Sequence, residues 1–228
     1  MSYLINPYII RPPIVTNNLM IYLDAKSSTS YPGSGTIWYD ISGNSNNGTL
    51  ISSPTYSSTY GGAFAFNGST QYVDLVDCGY TDITVILSFM QTSSKALELF
   101  GTTTIVSSSP HSAIHFDASG IGAFSRFISA AGDRPHVRAT GTGSPLSYNV
   151  PTIFTGTYNS STNTSSIYKD GSFISSSTTT INSSSFQGNF GGNATAYAFN
   201  GSAYAILVYN RALSASEILQ NYNSLRVI

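Results

Sequence analysis

Residues able to do acid–base work are few in this chain. Of its ten acidic residues only two are glutamates, Glu98 and Glu217. Cleaving a glycosidic bond takes two closely set carboxyl groups, one protonating the leaving oxygen and one attacking the anomeric carbon or activating water. Leu97-Glu98-Leu99 is followed by Phe100 and Thr102 where acidic partners on the same strand face would stand. Asp74 and Asp77 form the closest acidic pair, yet a separation of three puts them on opposite faces of a strand. Ser112, His115 and Asp117 have the residue types of a nucleophile–base–acid set, a coincidence expected in so serine-rich a chain. No nucleophile elbow, histidine metal cluster or phosphate loop accompanies them. The chain reads as a non-enzyme, with glycoside hydrolase as a remote alternative.

Binding chemistry is better represented. The loop Asp40-Ile41-Ser42-Gly43-Asn44-Ser45-Asn46-Asn47-Gly48 offers carboxylate, hydroxyl and amide oxygens that could coordinate Ca²⁺, with Asp40, Asn44 and Asn46 as ligands. It holds one carboxylate, so a site would need Asp24 or Asp74 from neighbouring strands, and Asx residues also form turns unaided. The turn reading is favoured: no cofactor is required, and Ca²⁺ is the alternative. Aromatic rings are the usual platform for sugar C–H faces. Tyr31, Trp38, Tyr56, Tyr60 and Tyr148 are the candidate carbohydrate-binding residues, with Tyr80 in a similar loop setting. A lone Trp in a strand also serves as a core anchor, so both readings of Trp38 stand. Arg211 reads as a clamp donating to loop carbonyls rather than as a ligand reader.

The elements that must position these residues are nearly all strands. Period-two alternation predicts strands at Leu19–Asp24, Gly62–Phe66, Tyr72–Leu75, Ile83–Met90, Leu97–Ile105 and Ser112–Asp117. It predicts six more at Gly122–Ser129, Val137–Ala139, Ile153–Tyr158, Thr164–Lys169, Ser172–Ser176 and Ser202–Tyr209. Asp170-Gly171 between two of them is a two-residue hairpin turn, since both positions need positive φ. Ser214-Ala215-Ser216-Glu217 is a capping box, with Leu213 and Ile218 placed as its hydrophobic staple. Ile218, Leu219, Tyr222 and Leu225 continue at helical spacing and predict one helix over Ala215–Leu225.

Composition narrows the partners. Only 8% of the 228 residues are charged, against about 25% in a typical domain. The surface must therefore be built of Ser, Thr, Asn, Gly and Tyr, neutral and hydrogen-bonding. A net charge of −1 leaves no electrostatic footprint for nucleic acid or anionic membrane. The single Cys78 excludes an internal disulfide. The N-terminus lacks the basic and continuous apolar regions of a signal peptide, which implies a protein not exported by that route. Residues 1–17 read as an extended apolar arm and 18–228 as one domain. Tyr3, Leu4, Ile5, Tyr8, Ile9, Ile10, Ile14 and Val15 are apolar, while Pro7, Pro12 and Pro13 bar a helix or central strand. Such an arm either covers an edge of its own domain or attaches it to another subunit.

Four motifs in order carry a resemblance. Ile21-Tyr22-Leu23-Asp24-Ala25 with the stretch Ser30 to Leu50, then Gly62 to Val73, then Ile167-Tyr168-Lys169-Asp170-Gly171, then Tyr204 to Ile218 resemble the signatures of concanavalin A-like, laminin-G-like domains. The resemblance covers roughly residues 18–226. It implies an all-β fold, a two-layer antiparallel jelly-roll sandwich with one short C-terminal helix. The wording of "YPGSG" and "YNRALSASEI" is similar to versions in virion structural proteins of tailed bacteriophages. That similarity implies a virion location, as a head fibre, decoration or tail appendage, attached through the arm to other virion proteins or to copies of itself. The alternative is a glycan-binding module that attaches to a host or environmental polysaccharide. Neither reading involves nucleic acid or membrane.

Overall fold

The computed structural model describes residues 11–58, 61–76, 80–92, 97–101, 112–116, 122–126, 136–138, 146–178, 188–192 and 198–226. In chain order the first elements are β1 (Leu19–Asp24), β2 (Ile37–Trp38), β3 (Gly48–Ile51), β4 (Thr55–Ser57), β5 (Ala63–Asn67), β6 (Tyr72–Asp74), β7 (Ile83–Gln91) and β8 (Leu97–Gly101). They are followed by β9 (Ser112–Phe116), β10 (Gly122–Arg126), β11 (His136–Arg138), β12 (Thr152–Asn159), β13 (Thr164–Lys169), β14 (Ser172–Thr178), β15 (Asn189–Phe190), β16 (Asn200–Tyr209) and α1 (Ala215–Leu225). The predicted strands recur with ends shifted by a residue or two wherever both ends are described. Residues 102–105, 117, 127–129 and 139 of four predicted strands lie outside the described residues.

The strands form two antiparallel sheets. The first runs β14-β13-β12-β7-β16-β5-β4, with β1 sharing the β5 flank of β16. Long β16 makes this possible: Asn200–Ala203 pair with β5, Ala205–Tyr209 with β1, and the register shifts around Tyr204. The second runs β11-β10-β9-β8-β15-β6-β3-β2. Val85, Leu87, Phe89, Phe154, Ile206 and Val208 of the first sheet meet Leu50, Val73, Ile114, Phe116 and Phe190 of the second in the core between the sheets. At this interface Gly48 is required by packing, since a Cβ there would stand 2.7 Å from the Val73 Cγ1.

A second core lies on the outer side of the first sheet. The alternate residues Ile86, Ile153, Tyr168, Ala205, Leu207 and Tyr209 pack against Leu213, Ile218 and Leu225 of the helical segment and against Val15. This explains why β7 and β16 read as nearly continuous apolar runs: both of their faces are covered. The helix starts as expected, with the Glu217 amide donating to Ser214 Oγ and the Ser214 amide donating to Glu217 Oε2 at 2.9 Å. Its last turn holds no basic residue. Arg11 Nη1 and Lys26 Nζ reach in from elsewhere and donate to the Ser224 and Leu225 carbonyls, placing positive charge at the negative end of the helix dipole. The Asp170-Gly171 turn has φ of 50° and 76°, the two positive values of a type I′ hairpin. No helix among the described residues is long and apolar enough to cross a membrane.

The described end of the N-terminal arm, Ile14 and Val15, belongs to this core. Val15 is buried, Ile14 packs beside it, and three buried hydrogen bonds close a ring around the Val15 backbone. The Val15 amide donates to Asn221 Oδ1, the Asn221 amide nitrogen donates to the Tyr209 hydroxyl, and that hydroxyl donates to the Val15 carbonyl. Burial pushes the Tyr209 phenol well above its ordinary range. Tyr3, Leu4, Ile5, Tyr8, Ile9 and Ile10 lie outside the described residues.

Candidate functional site

The predicted sugar platform is instead a packing cluster at the end of the sandwich. Trp38 is fully buried, because its side of β2 faces the core between the sheets, and its ring lies 4.8 Å from that of Phe64. Tyr31 is 7% exposed and packs edge-on to Phe64 at 4.7 Å, with its hydroxyl donating to the Gly35 carbonyl. Tyr56 is half-buried, stacks against Tyr31 at 4.9 Å, and donates to the Ala25 carbonyl. None of these three presents a free ring face. Tyr80 packs against the core, Tyr148 is half-buried, and Tyr60 lies outside the described residues.

The Asp40 loop is built as a self-contained turn. Asp40 Oδ1 accepts from the amides of Tyr22 and Ser42, and Oδ2 accepts from the Ser42 hydroxyl and the Asn46 amide. The Asn44 and Asn46 side chains present nitrogen, not oxygen, to the Leu19 and Met20 carbonyls of β1. Asn47 Oδ1 accepts from the Asp40 amide at 2.9 Å. The three residues singled out as cation ligands thus come together, but as a clamp that pins the loop to β1. No group of three His, Cys, Asp or Glu that could hold a metal ion exists among the described residues.

Arg211 and Glu217 form a second clamp. Two guanidinium nitrogens reach the two carboxylate oxygens at 2.9 and 2.6 Å, and Arg211 Nε donates to the Asn17 carbonyl. Arg211 therefore does act on a loop carbonyl as read from the sequence, while its pairing with the cap residue escaped that reading. The guanidinium contact holds the Glu217 carboxyl down at about 2. Beside the helix end, Arg11, Asp24, Lys26, Ser88 and Tyr204 line a cleft whose empty volume of about 280 Å³ includes its open mouth. That is below the usual size of a ligand site, about 300–1,000 Å³. Its two cations are already engaged in capping α1.

A comparison of the carboxylates isolates one position. Asp24, Asp40, Asp82, Asp170 and Glu217 each accept backbone or side-chain hydrogen bonds that hold a turn, a loop or the helix cap. Among the carboxylates whose side chains are described Asp74 is the exception: it is exposed at the end of β6, and its carboxylate makes no hydrogen bond or ion pair. Pairing register places it between Thr49 of β3 and Asn189 of β15. Val73 and Phe190, the neighbours of Asp74 and Asn189, are fully buried in the core, so Asp74 and Asn189 share the outer face of the second sheet. Asn189 is 2% exposed, and its Nδ2 has no hydrogen-bond partner. A buried amide left unpaired costs about 1–3 kcal/mol, and this one is closed to solvent. Tyr72, half-buried and two residues before Asp74, lies on the same face, with Ile51 as its partner in β3.

The groups that this face offers to a polar molecule are an open carboxylate acceptor and a half-buried tyrosine beside it. Sequence reading singled out Asp74 as an accessory cation ligand and as half of the closest acidic pair, and overlooked Tyr72 and Asn189. The signal available was a carboxylate in mid-alternation between Val73 and Leu75, a type depleted in strands.

No protein-family model and no curated protein matches the sequence. Solved structures do match in shape. The binding domain of Paraclostridial Mosquitocidal Protein 1 superposes with a TM-score of 0.66 at 16% identity, covering 92% of this chain and 52% of that one. Domain 4 of AbnA, an extracellular arabinanase from Geobacillus stearothermophilus solved with arabinotriose, gives 0.65 at 17%, covering 90% and 98%. The CBM40 domain of Ruminococcus gnavus IT-sialidase, bound to α2,3-sialyllactose, gives 0.51 at 16%, covering 61% and 82%. The chain thus spans about half of the first of these proteins and nearly all of the second. The similarity is one of fold, a two-layer antiparallel β-sandwich.

Proposed function

We propose that this chain is a non-catalytic glycan-binding module that takes its ligand on the outer face of the second sheet. The observation that carries this reading is the open Asp74 carboxylate beside Tyr72 on that face. Each of the other carboxylates whose side chains are described holds a turn, a loop or the helix cap. A sugar hydroxyl can donate to a carboxylate that no protein group engages. The low charge of the surface and the bound saccharides of two structural neighbours support the same class of ligand.

The virion setting rests on motif resemblance alone. In that setting the sandwich would face outward, and the segment before residue 11 would meet virion partners or further copies. The glycan reading is tested by presenting purified protein with immobilised polysaccharides and assaying the same mixtures for new reducing ends. Retention without product is expected. Release of product would overturn the non-catalytic part, and absence of retention on any glycan would overturn the whole.

A further inference from the structure

The outer face of the first sheet is sealed beneath α1, and where the helix stops its cover gives way to the cleft between the last turn and the sheet. We infer that this cleft binds a single oxyanion group, a carboxylate or a sulfate, at a site separate from the face around Asp74 and independent of the glycan reading. Its base is one row of the sheet: Asp24 of β1 pairs with Ala205 of β16, and Ala205 with Ser88 of β7. Ala205 packs in the outer core, so Asp24 and Ser88 stand on that same outer side. Ser88 is 2% exposed and lines the cleft, and its hydroxyl has no hydrogen-bond partner among the described residues. Arg11 and Lys26 line it too. Each donates one N–H to a carbonyl of α1, at Ser224 and Leu225, and keeps its other donors free. Neither forms an ion pair with Asp24 or with any other described carboxylate.

The balance of charge decides what fits. Burial holds the Lys26 amine below its ordinary range; Asp24 offsets part of this, and Arg11 adds to it. Asp24 is turned to other contacts, its Oδ1 accepting from the Lys26 backbone amide and its Oδ2 from the Tyr22 hydroxyl. The two cations, with Arg226 next to them in the chain as the helix C-cap, outweigh that one carboxylate and the negative end of the helix, which counts for about half a charge. An anion entering here accepts from the free N–H groups of both cations and from the Ser88 hydroxyl, and charge-assisted bonds of this kind are about twice as strong as neutral ones. The flat guanidinium of Arg11 matches two oxygens of such a group. With an empty volume of about 280 Å³ that includes its mouth, the cleft is small for a whole saccharide but has room for one charged group whose carrier stays outside.

The test follows the backbone amides of the isotopically labelled full chain by NMR during titration with sodium sulfate, sodium glucuronate and glucose. Ionic strength is held fixed, so that general screening does not change. Sulfate and glucuronate should shift the amides of Lys26, Ser88 and Leu225 along saturable curves with midpoints at about millimolar concentration, and glucose should shift none of them. A response to both anions makes an acidic sugar an acceptable carrier, and a response to sulfate alone identifies a free inorganic anion as the occupant. Lys26→Gln and Arg11→Gln should each weaken binding about fivefold or more. Ser88→Ala, which leaves both contacts to the helix in place, should weaken it about twofold or more, and it decides the matter if the other two variants fray α1. Arg211→Gln, which removes a cation from the opposite end of the helix, should leave binding unchanged. No saturable shift at these amides with either anion, or an equal response to glucose, overturns the site. Binding that survives Lys26→Gln, Arg11→Gln and Ser88→Ala overturns its placement in this cleft.

Discussion

On the first sheet the outward residues Ile86, Ile153, Leu207 and Tyr209 are sealed beneath α1 and Val15. On the second sheet the corresponding outward residues Thr49, Ile51 and Tyr72 are half-buried and Asp74 is exposed. The two faces share a backbone geometry, so side-chain chemistry alone separates them. Apolar outward residues recruit a helix and a chain terminus as cover, because each large side chain buried gains about 1.5–3 kcal/mol. Polar outward residues gain nothing from such cover and keep contact with water or ligand. The first face holds the molecule together; the second is where a solute can act.

The sharpest way to break this contrast is to cut into each face in turn. Leu207→Ala, beneath the helix, should cost about 2–5 kcal/mol of unfolding free energy, as buried Leu→Ala changes do. Asp74→Ala should stay within about 0.5 kcal/mol, as surface changes away from special contacts do. Urea unfolding of both variants decides it. A large loss at Asp74 would make that residue structural and dissolve the distinction.

Removing residues 1–15 tests how far the covered face depends on the arm. The Val15 side chain and the ring of hydrogen bonds among Val15, Tyr209 and Asn221 would go together, at a cost of roughly 3 kcal/mol. Asn221→Leu should reproduce about 1–3 kcal/mol of this by leaving the Val15 amide unpaired. A truncated protein as stable as the full chain, measured by its urea midpoint, would count against the arm as cover for its own domain.

These elements also show where the sequence was legible. The capping box, the Asp170-Gly171 turn and the alternating strands β1, β12 and β13 are local patterns, and each formed where its spacing predicted. Short β2, β3, β4 and β15 have no room for a period and went unseen. The site was harder still, because Asp74 and Asn189 meet only through a register between two strands far apart in the chain. Tyr31, Trp38 and Tyr56 misled for a related reason. Turn residues surround them, which suggests exposure, yet the turn folds back over Phe64 and encloses them.

The Arg211–Glu217 clamp should give a smaller, pH-dependent effect. Its carboxyl is held at about 2, below its ordinary 4.5, so the stabilisation is complete above about pH 4.5 and fades as pH falls toward 2. The pair is partly solvent-screened, and Arg211→Gln should cost about 1 kcal/mol at neutral pH. Between pH 4.5 and 2 the variant should lose less stability than the wild type, because its glutamate has less depression to give back. Parallel acid-unfolding curves would show that the clamp contributes nothing.

The smallest expected effect is no effect. A Ca²⁺ ion takes six to eight oxygen ligands at about 2.3–2.6 Å. At the Asp40 loop the only carboxylate already receives four hydrogen bonds, and Asn44 and Asn46 turn nitrogens toward β1. A cation entering there would have to strip those donors and turn both amides round, losing the bonds that now join the loop to the Leu19 and Met20 carbonyls. The loop's contribution to stability should therefore be independent of calcium. Melting curves in excess chelator and in millimolar Ca²⁺ should superimpose for the wild type. Asp40→Ala should lower the melting temperature by the same amount in both, because what it removes is an acceptor for four donors. A calcium-dependent rise in the wild type that Asp40→Ala abolishes would convert this clamp into a metal site, and place the molecule's second polar centre on the edge of β1 rather than on the open face around Asp74.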